Sequence, residues 1–536
     1  MGIFLPLESC ERYRALSASK EWAGRYNHGM KSLLPFITLV LAAGAAIFVA
    51  PAVSRAASSG RPSILFILTD DQNPDTLGCF GGKVLTPMLD KLCGEGVKFT
   101  RAYASSSVCT PSRYTCMTGQ YASRCTTERF MKMCPPGTQS NVGFNVQVEP
   151  GRWNVARVLR EHGYWTGFVG KWHTGIPPLL SIPADANLCD PEVTGRLAEN
   201  QRRLCDYIKR AGFDYAASVY RGNLADHKLD ELKYHNMEWV TKGALDFLEQ
   251  AGDRPFFLHL CTTLHHSPSP NRSISGDPTM TPAGHLSAPL NVQASRAGIA
   301  ERLKKAGLVG DMGHATWLDD GIAAVVRELA DLGKLDNTVI LFFSDNTTLG
   351  GKGTCYEGGA RTPCFLWDKG RIPAGQLCDK LVQNIDFVPT IFDLAGVQPP
   401  AEMRIDGISL MPLVTQPQAK WRDKLFLEIG HTRAVCTERW KYIALRYPPE
   451  IRQRIADGTL GRLAYHMDTS LNLQETALKR HPGYWDTDQL YDLQADPDER
   501  VNLIKDPIHA KTVADLQGRL KGWLAGFERP FGEFVP

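Results

Sequence analysis

Cys109-Thr110-Pro111-Ser112-Arg113, closed by Thr118-Gly119, is the part of the chain richest in chemistry. Proline brings a φ already suited to a first helical turn, and Thr110 is an acceptable N-cap. The spacing predicts a helix whose positive end faces position 109, where free N–H groups attract anions. Arg113, one turn on, adds a planar, permanently charged donor fork. A cysteine in that setting is a candidate nucleophile in an anion site. A lone Cys-x-Pro would describe a buried thiol beside an ordinary helix start equally well, so the other motifs decide.

Asp70-Asp71 follow the apolar run Ser63–Leu68, and Asp345-Asn346 stand just beyond Thr338–Phe343. Sites in open α/β sheets form at the carboxyl ends of strands. Two acidic pairs placed there suggest a hard, oxygen-liganded cation, calcium or magnesium. Gly170-Lys171-Trp172-His173-Thr174-Gly175 ends a further apolar run, Tyr164–Val169. His265-His266-Ser267-Pro268 follows Phe256–Leu260, and Lys352 precedes Tyr356-Glu357-Gly358-Gly359-Ala360-Arg361-Thr362-Pro363.

The elements that must position these residues are legible as periodicities. Ser63–Leu68, Tyr164–Val169, Phe256–Leu260 and Thr338–Phe343 are apolar on both faces. Trp153–His162, Met237–Gln250 and Ala315–Leu332 carry helical spacing between them. Buried runs alternating with helices predict an α/β fold, a large mostly parallel sheet sandwiched by helices. Residues 175–235 and 264–312 are polar and weakly periodic. They read as insertions over the sheet edge, where specificity loops lie. After Gln398-Pro399-Pro400 the segments Leu425–Ile429, Thr432–Thr437 and Trp440–Leu445 read as short antiparallel strands, with a helix from Ile508 to Phe527. The expected division is a catalytic domain over 58–400 and a small α+β subdomain over 401–536.

Composition sets bounds. Of 536 residues, 43% are hydrophobic and 22% charged, which describes an ordinary globular protein. A net charge of +3 gives no bulk argument for nucleic acid, and none is expected as a partner. Ser32–Val53 is apolar, preceded by Lys31 and followed by Ser54-Arg55-Ala56-Ala57. Residues 1–57 thus read as a cleaved secretory signal or an uncleaved anchor, with 1–29 a possible mis-called start before Met30-Lys31. Either way the catalytic portion is exported to a periplasmic, secreted or lysosome-like compartment, with membrane contact only if the segment is uncleaved. Fourteen cysteines include no C-x-x-C pair, so a zinc ribbon or thioredoxin-like site is not expected.

Together the motifs resemble the formylglycine-dependent (type I) sulfatases, of the alkaline-phosphatase-like superfamily, with their C-x-P-S-R-x-x-x-x-T-G, G-K-W-H-x-G and K-x-x-x-Y-E-G-G-x-R-x-P patterns. The resemblance implies that a maturation enzyme oxidises Cys109 to formylglycine, whose hydrate is the nucleophile. It implies a single divalent cation, calcium favoured over magnesium, on Asp70, Asp71, Asp345, Asn346 and residue 109. Lys171 and Lys352 would face sulfate oxygens, with Arg113 adding charge. His173 would contact the hydrate, and His266, rather than His265, would serve the leaving oxygen. Glu357 and Arg361 read as structural. The chain has Asp345-Asn346-Thr347-Thr348 where the family commonly has Asp-Asn-Gly, which puts the shape of that loop in question. The implied activity is hydrolysis of sulfate esters, of sulfated carbohydrates above all. A phosphonate or phosphodiester hydrolase and an inactive carbohydrate-binding relative are the alternatives.

Overall fold

The structure is a computed structural model that describes residues 60–534 except 269, 309–311, 417, 460–465 and 467–476. The expected signal or anchor in residues 1–57 lies outside the described residues.

Nine strands form the main sheet: β1 (Ser63–Thr69), β2 (Val97–Tyr103), β3 (Trp165–Lys171), β4 (Tyr215–Tyr220), β5 (Phe256–Cys261), and, past the two-residue ladder of β6 (Met280–Thr281) and β7 (Gly284–His285), β8 (Thr338–Ser344), β9 (Arg361–Trp367), β10 (Gln376–Cys378) and β11 (Val382–Gln383). Their order is β10-β2-β9-β8-β1-β5-β3-β4, with β11 also on β2. Only β9 runs against its neighbours β2 and β8; the other pairings are parallel. Every residue of β1, β5 and β8 is buried. That matches strands apolar on both faces, because helices cover both sides of a parallel sheet. One face packs on Cys109–Thr118, Val155–Glu161 and Phe387–Ala395 around Phe66, Phe168 and Phe343. The other packs on Met237–Ala251 and Gly313–Asp331 around Ile67, Leu258 and Phe342.

The segment 175–235 is more than an insertion. It contains the helix Pro191–Arg210 and the sheet-edge strand β4. The helix buries only Val193, Leu197, Leu204, Cys205 and Ile208 and covers its outer face with ion pairs such as Glu192–Arg196 and Arg202–Asp206. A narrow apolar stripe among paired charges hides helical periodicity from a reading based on hydrophobicity. Strands β2 and β9 were not anticipated either. β2 is only half-buried, and β9 begins within the Tyr356–Pro363 motif.

A second sheet, β12 (Lys424–Ile429), β13 (Thr432–Thr437), β14 (Trp440–Leu445) and β15 (Asp488–Asp492), is antiparallel throughout. The helix Ala510–Leu524 covers one face. The other packs Leu425, Leu427, Ala434 and Ile443 against Tyr103, Val108 and Tyr356. The small sheet therefore buttresses the start of the helix at Cys109 and the loop after Lys352. Among the described residues every cysteine is a free thiol, and no helix is long and apolar enough to cross a membrane.

Candidate active site

The pairing of β1 with β8 is in register from Ser63↔Thr338 to Thr69↔Ser344. The residues that follow the two strands must therefore emerge side by side. Asp71 N–H donates to Asp345 Oδ1 (3.1 Å), and Asn346 Nδ2 donates to Asp71 Oδ1 (2.6 Å). β3 ends two strands away from β1 and delivers Lys171, whose Nζ lies 2.5 Å from Asp70 Oδ2. Gly170 makes that turn possible. Its φ is +98°, and a Cβ there would sit 1.7 Å from the Cys261 carbonyl oxygen. Asp71 and His173 also hold left-handed φ values of 57° and 53°. Strained backbone of this kind concentrates at functional sites.

The helix Cys109–Thr118 is buried along its whole length. It opens two residues earlier than expected: Cys109 is its first residue and Val108 the N-cap, which has no side-chain cap. Thr110 instead donates to the His173 carbonyl (2.9 Å). Cys109 thus occupies the first turn, and its Sγ lies 3.4 Å from Asp70 Oδ1, 3.7 Å from Lys171 Nζ and 3.9 Å from Lys352 Nζ. Arg113, 2% exposed, places Nε and Nη2 at 2.9 and 2.8 Å from Asp345 Oδ2 and donates Nη1 to the Lys171 carbonyl (3.0 Å). Lys352 spans both oxygens of Asp71 at 2.6 and 2.7 Å.

Burial works against the charge on Asp70, yet Lys171, His266, Arg113 and Lys352 hold its pKa well below the ordinary range. Burial also opposes the charge on Asp71, which Lys352 and His266 nevertheless keep low. Asp345 is pushed up to about 7 by burial and by the neighbouring Asp70 charge, against the pull of Arg113. Burial, with Lys171 and Arg113 close by, drives His173 well below its usual value and holds it neutral. Burial and Lys171 also lower His266. Burial raises the Cys109 thiol well above its usual value, so this cysteine is no ready thiolate.

Ligand atoms of Asp70, Asp71, Cys109 and His266 all lie within 4.8 Å of one another. Asn346 Oδ1 is buried without a hydrogen-bond partner, an oxygen donor available to a cation. This donor set of carboxylates and an amide oxygen fits a hard divalent ion. The structure brings together every predicted site residue: Asp70, Asp71, Cys109, Arg113, Lys171, His173, His266, Asp345, Asn346 and Lys352. The His265 ring packs on His314 at 4.5 Å, whereas His266 Nε2 lies 3.7 Å from Asp71 Oδ2. The Thr347 loop needs no glycine. Thr347 is buried, with its hydroxyl on the Gly358 carbonyl (3.0 Å) and its N–H on the Gly359 carbonyl (3.1 Å). Glu357 accepts from Lys441 (2.8 Å) and Tyr103 (3.2 Å), and Arg361 donates to the Thr100 carbonyl, as structural residues do.

One residue escaped the sequence reading. Asn223 accepts from Lys171 Nζ at 2.7 Å and shares that ammonium with Asp70. It lies in the loop after β4, and no motif marks it.

The family described as Sulfatase matches residues 62–397, which carry the whole of this constellation. The chain belongs to the sulfatase family. It is a sulfuric ester hydrolase. The C-terminal module described for N-sulphoglucosamine sulphohydrolase matches residues 349–452. Human arylsulfatase A is 29% identical over 509 residues, covering 87% of this chain and 86% of that enzyme. Pig N-acetylgalactosamine-6-sulfatase is 30% identical over 403 residues, 70% of each chain. Among solved structures, a complex with the substrate D-glucosamine-2-N,6-O-disulfate superposes with a TM-score of 0.58 at 19% identity, over 88% of this chain and 98% of the other. A phosphonate monoester hydrolase from Silicibacter pomeroyi shares the fold, with a TM-score of 0.55 at 19% identity, over 87% and 96%. The sulfatase thus has the expected α/β architecture with a smaller antiparallel C-terminal sheet.

Proposed function

We propose that this sulfatase hydrolyses sulfate esters of sulfated carbohydrates, with residue 109 converted to formylglycine by a maturation enzyme and one divalent cation, calcium before magnesium, held by Asp70, Asp71, Asp345 and Asn346. The observation that carries this reading is the position of Cys109. It stands in the first turn of a buried helix with Lys171 and Lys352 ammoniums at 3.7 and 3.9 Å from its sulfur. Relatives named for arylsulfate and N-acetylgalactosamine 6-sulfate chemistry support the substrate class. The apolar run Ser32–Val53 supports export.

The aldehyde hydrate would supply an oxygen nucleophile, and the cation would stabilise its negative charge. The chain's own residues do the rest. Lys171 and Lys352, whose side chains are 1% and 14% exposed, bind sulfate oxygens in a largely buried site, where charge counts most. Arg113, locked between Asp345 and the Lys171 carbonyl, orients the first helical turn. His173, held neutral, has Nδ1 buried without a partner and is placed to take a proton at position 109. His266 directs Nδ1 to the Ser267 carbonyl at 2.7 Å, which leaves Nε2 toward Asp71 and the cleft. From there it can hand a proton to the leaving oxygen.

Two measurements test the proposal. The mass of the tryptic peptide Ala102–Arg113 reports the state of residue 109. Turnover of an aryl sulfate against an aryl phosphodiester reports the reaction. An unmodified cysteine in fully active enzyme would sink the formylglycine reading. Faster phosphodiester turnover would put the phosphonate-type alternative in its place, and metal-dependent turnover of either excludes an inactive binding relative.

A further inference from the structure

The catalytic groups line the floor of a cleft of about 1310 Å³. Small-molecule pockets run to about 300–1,000 Å³, so this one has room for more than a sulfate group and a single ring. Its upper walls come from segments beyond the strand ends and the Cys109 helix that carry most of the sulfate site. One is the short helix Glu128–Met133 with the chain after it, which supplies Arg129, Phe144 and Gln147. Another is the loop after β4, which supplies Arg221, Asn223 and Asp226.

These walls carry unspent positive charge. Arg129 is exposed. Among the described residues no hydrogen bond or ion pair engages its guanidinium. Arg221 donates one N–H to the Asp226 carbonyl and keeps four of its five donors. Two carboxylates line the same cleft. Asp71 is already neutralised by Lys352, and Asp226 accepts from the Asn223 N–H at 3.1 Å. The balance above the catalytic floor is therefore cationic. Phe144 is half-buried, with its ring 5.8 Å from the His173 ring and tilted by 30°. It is an apolar plate beside the reacting position, suited to the C–H face of a sugar ring. His265 lines the cleft with both ring nitrogens lacking hydrogen-bond partners.

We propose that this cleft selects an acidic saccharide: the ring bearing the scissile sulfate lies against Phe144, and a second anionic group on it or on the adjoining unit, a uronate carboxylate or another sulfate, is held by Arg129 and Arg221. This deepens the sulfatase reading and rests on it. Guanidinium forks match carboxylate and sulfate oxygens alike, so the wall itself does not choose between the two anions.

The test compares four substrates: an aryl sulfate, a neutral disaccharide carrying one sulfate, and two disaccharides with that same sulfate plus either a uronate or a second sulfate. The wild-type enzyme should turn over at least one acidic disaccharide about 10- to 100-fold more efficiently than the neutral one, the worth of one or two charge-assisted hydrogen bonds. Arg129→Ala should erase most of that preference through KM and change aryl sulfate turnover less than twofold. Added salt should raise KM for the acidic disaccharides more than for the aryl sulfate. Phe144→Ala should raise KM for all three disaccharides, and Phe144→Tyr should restore it. The carboxylate and sulfate arms show which anion the wall takes. Equal turnover of neutral and acidic disaccharides, or a parallel loss on all four substrates in Arg129→Ala, would overturn the proposal. Binding of the disaccharides to the Cys109→Ala protein, read by calorimetry, separates the two levels. Tight charge-dependent binding without aryl sulfate turnover in the unsubstituted enzyme sinks the sulfatase reading alone. Aryl sulfate turnover without charge-dependent binding sinks the acidic-saccharide proposal alone.

Discussion

Asp345 is grasped on both carboxylate oxygens, Oδ1 by the Asp71 N–H at 3.1 Å and Oδ2 by Arg113 at 2.9 and 2.8 Å. One side chain therefore ties the ends of β1 and β8 to the helix that carries Cys109. The in-register pairing of β1 with β8 makes the first contact inevitable, and the one-turn spacing from Cys109 to Arg113 makes the second possible.

Removing Arg113 should then harm the scaffold as well as the sulfate site. Arg113→Gln leaves Asp345 without its buried cationic partner and Asp70 still paired with Lys171, a loss of about 3–5 kcal/mol for a broken buried pair. Arg113→Lys keeps the charge and loses the fork, so it should fall between. Urea denaturation followed by tryptophan fluorescence measures both. A loss under about 1 kcal/mol in the Gln variant would show that the pair does not hold the site.

Cys109→Ala should fold and be inactive. The sulfur is buried at the head of the helix, and without it there is no thiol to oxidise, so no aldehyde hydrate can form at position 109. Circular dichroism should superimpose on that of the unsubstituted enzyme, with aryl sulfate turnover at background. Near-normal turnover would end the mechanism.

Asp71→Asn should weaken cation binding and activity in step, because Asp71 lies in the ligand cluster and positions Asn346. Calorimetric titration with calcium and then magnesium, run beside activity, checks this. Rigorously metal-free enzyme with full activity would rule out the ion.

Much of this site was legible because parallel strands place their following residues at one edge of the sheet. Asp70, Lys171, His266 and Asp345 each come just after an apolar run and therefore share that edge. Asn223 was not legible. It follows β4, an edge strand buried on alternate residues at its start, after a helix whose surface is mostly paired charge. Thr110 was misread as a cap because side-chain type alone does not show that its hydroxyl reaches the His173 carbonyl. The difference between His265 and His266 was readable from the spacing to Pro268, and the structure adds that His265 packs on His314.

The helix Pro87–Glu95 provides a pH test away from the catalytic groups. Asp319 accepts from its Met88 and Leu89 N–H groups at 3.1 and 2.7 Å. Burial pushes that carboxyl up to about 7, against the lowering effect of those hydrogen bonds. Its folded pKa is above its unfolded one, so the folded state holds the proton more tightly. The resulting stability is fully present below the unfolded value of 3.8 and is lost as pH rises through about 7. Asp319→Asn retains an acceptor oxygen and removes the titration. Its stability should be flatter between pH 4 and 7 than that of the unsubstituted enzyme. Parallel denaturation profiles for the two would refute the assignment.

Substrate choice should follow the segments 175–235 and 264–312 and parts of the C-terminal subdomain, together with the wall that carries Arg129 and Phe144. The first supplies Gly175, Ile176, Arg221, Gly222, Asn223, Ala225 and Asp226 to the cleft, and the second supplies His265–Ser267. The sulfate-binding groups instead come from strand ends and from the helix at Cys109. A rim and a floor built from different elements can vary separately, and specificity is a difference between transition states that only the rim sees. The sheet sets a limit on the exchange: β4 and the helix Pro191–Arg210 belong to the core and must stay. Replacing only the loops at 175–190, 224–235 and 270–312, which leaves Asn223 and His266 in place, with those of a related sulfatase should change the preferred saccharide by about 1–3 kcal/mol of discrimination. Hydrolysis of a small aryl sulfate should change much less. Kinetics on a panel of sulfated saccharides checks this, and a parallel fall in both activities, or an unchanged saccharide preference, would show that specificity lies elsewhere.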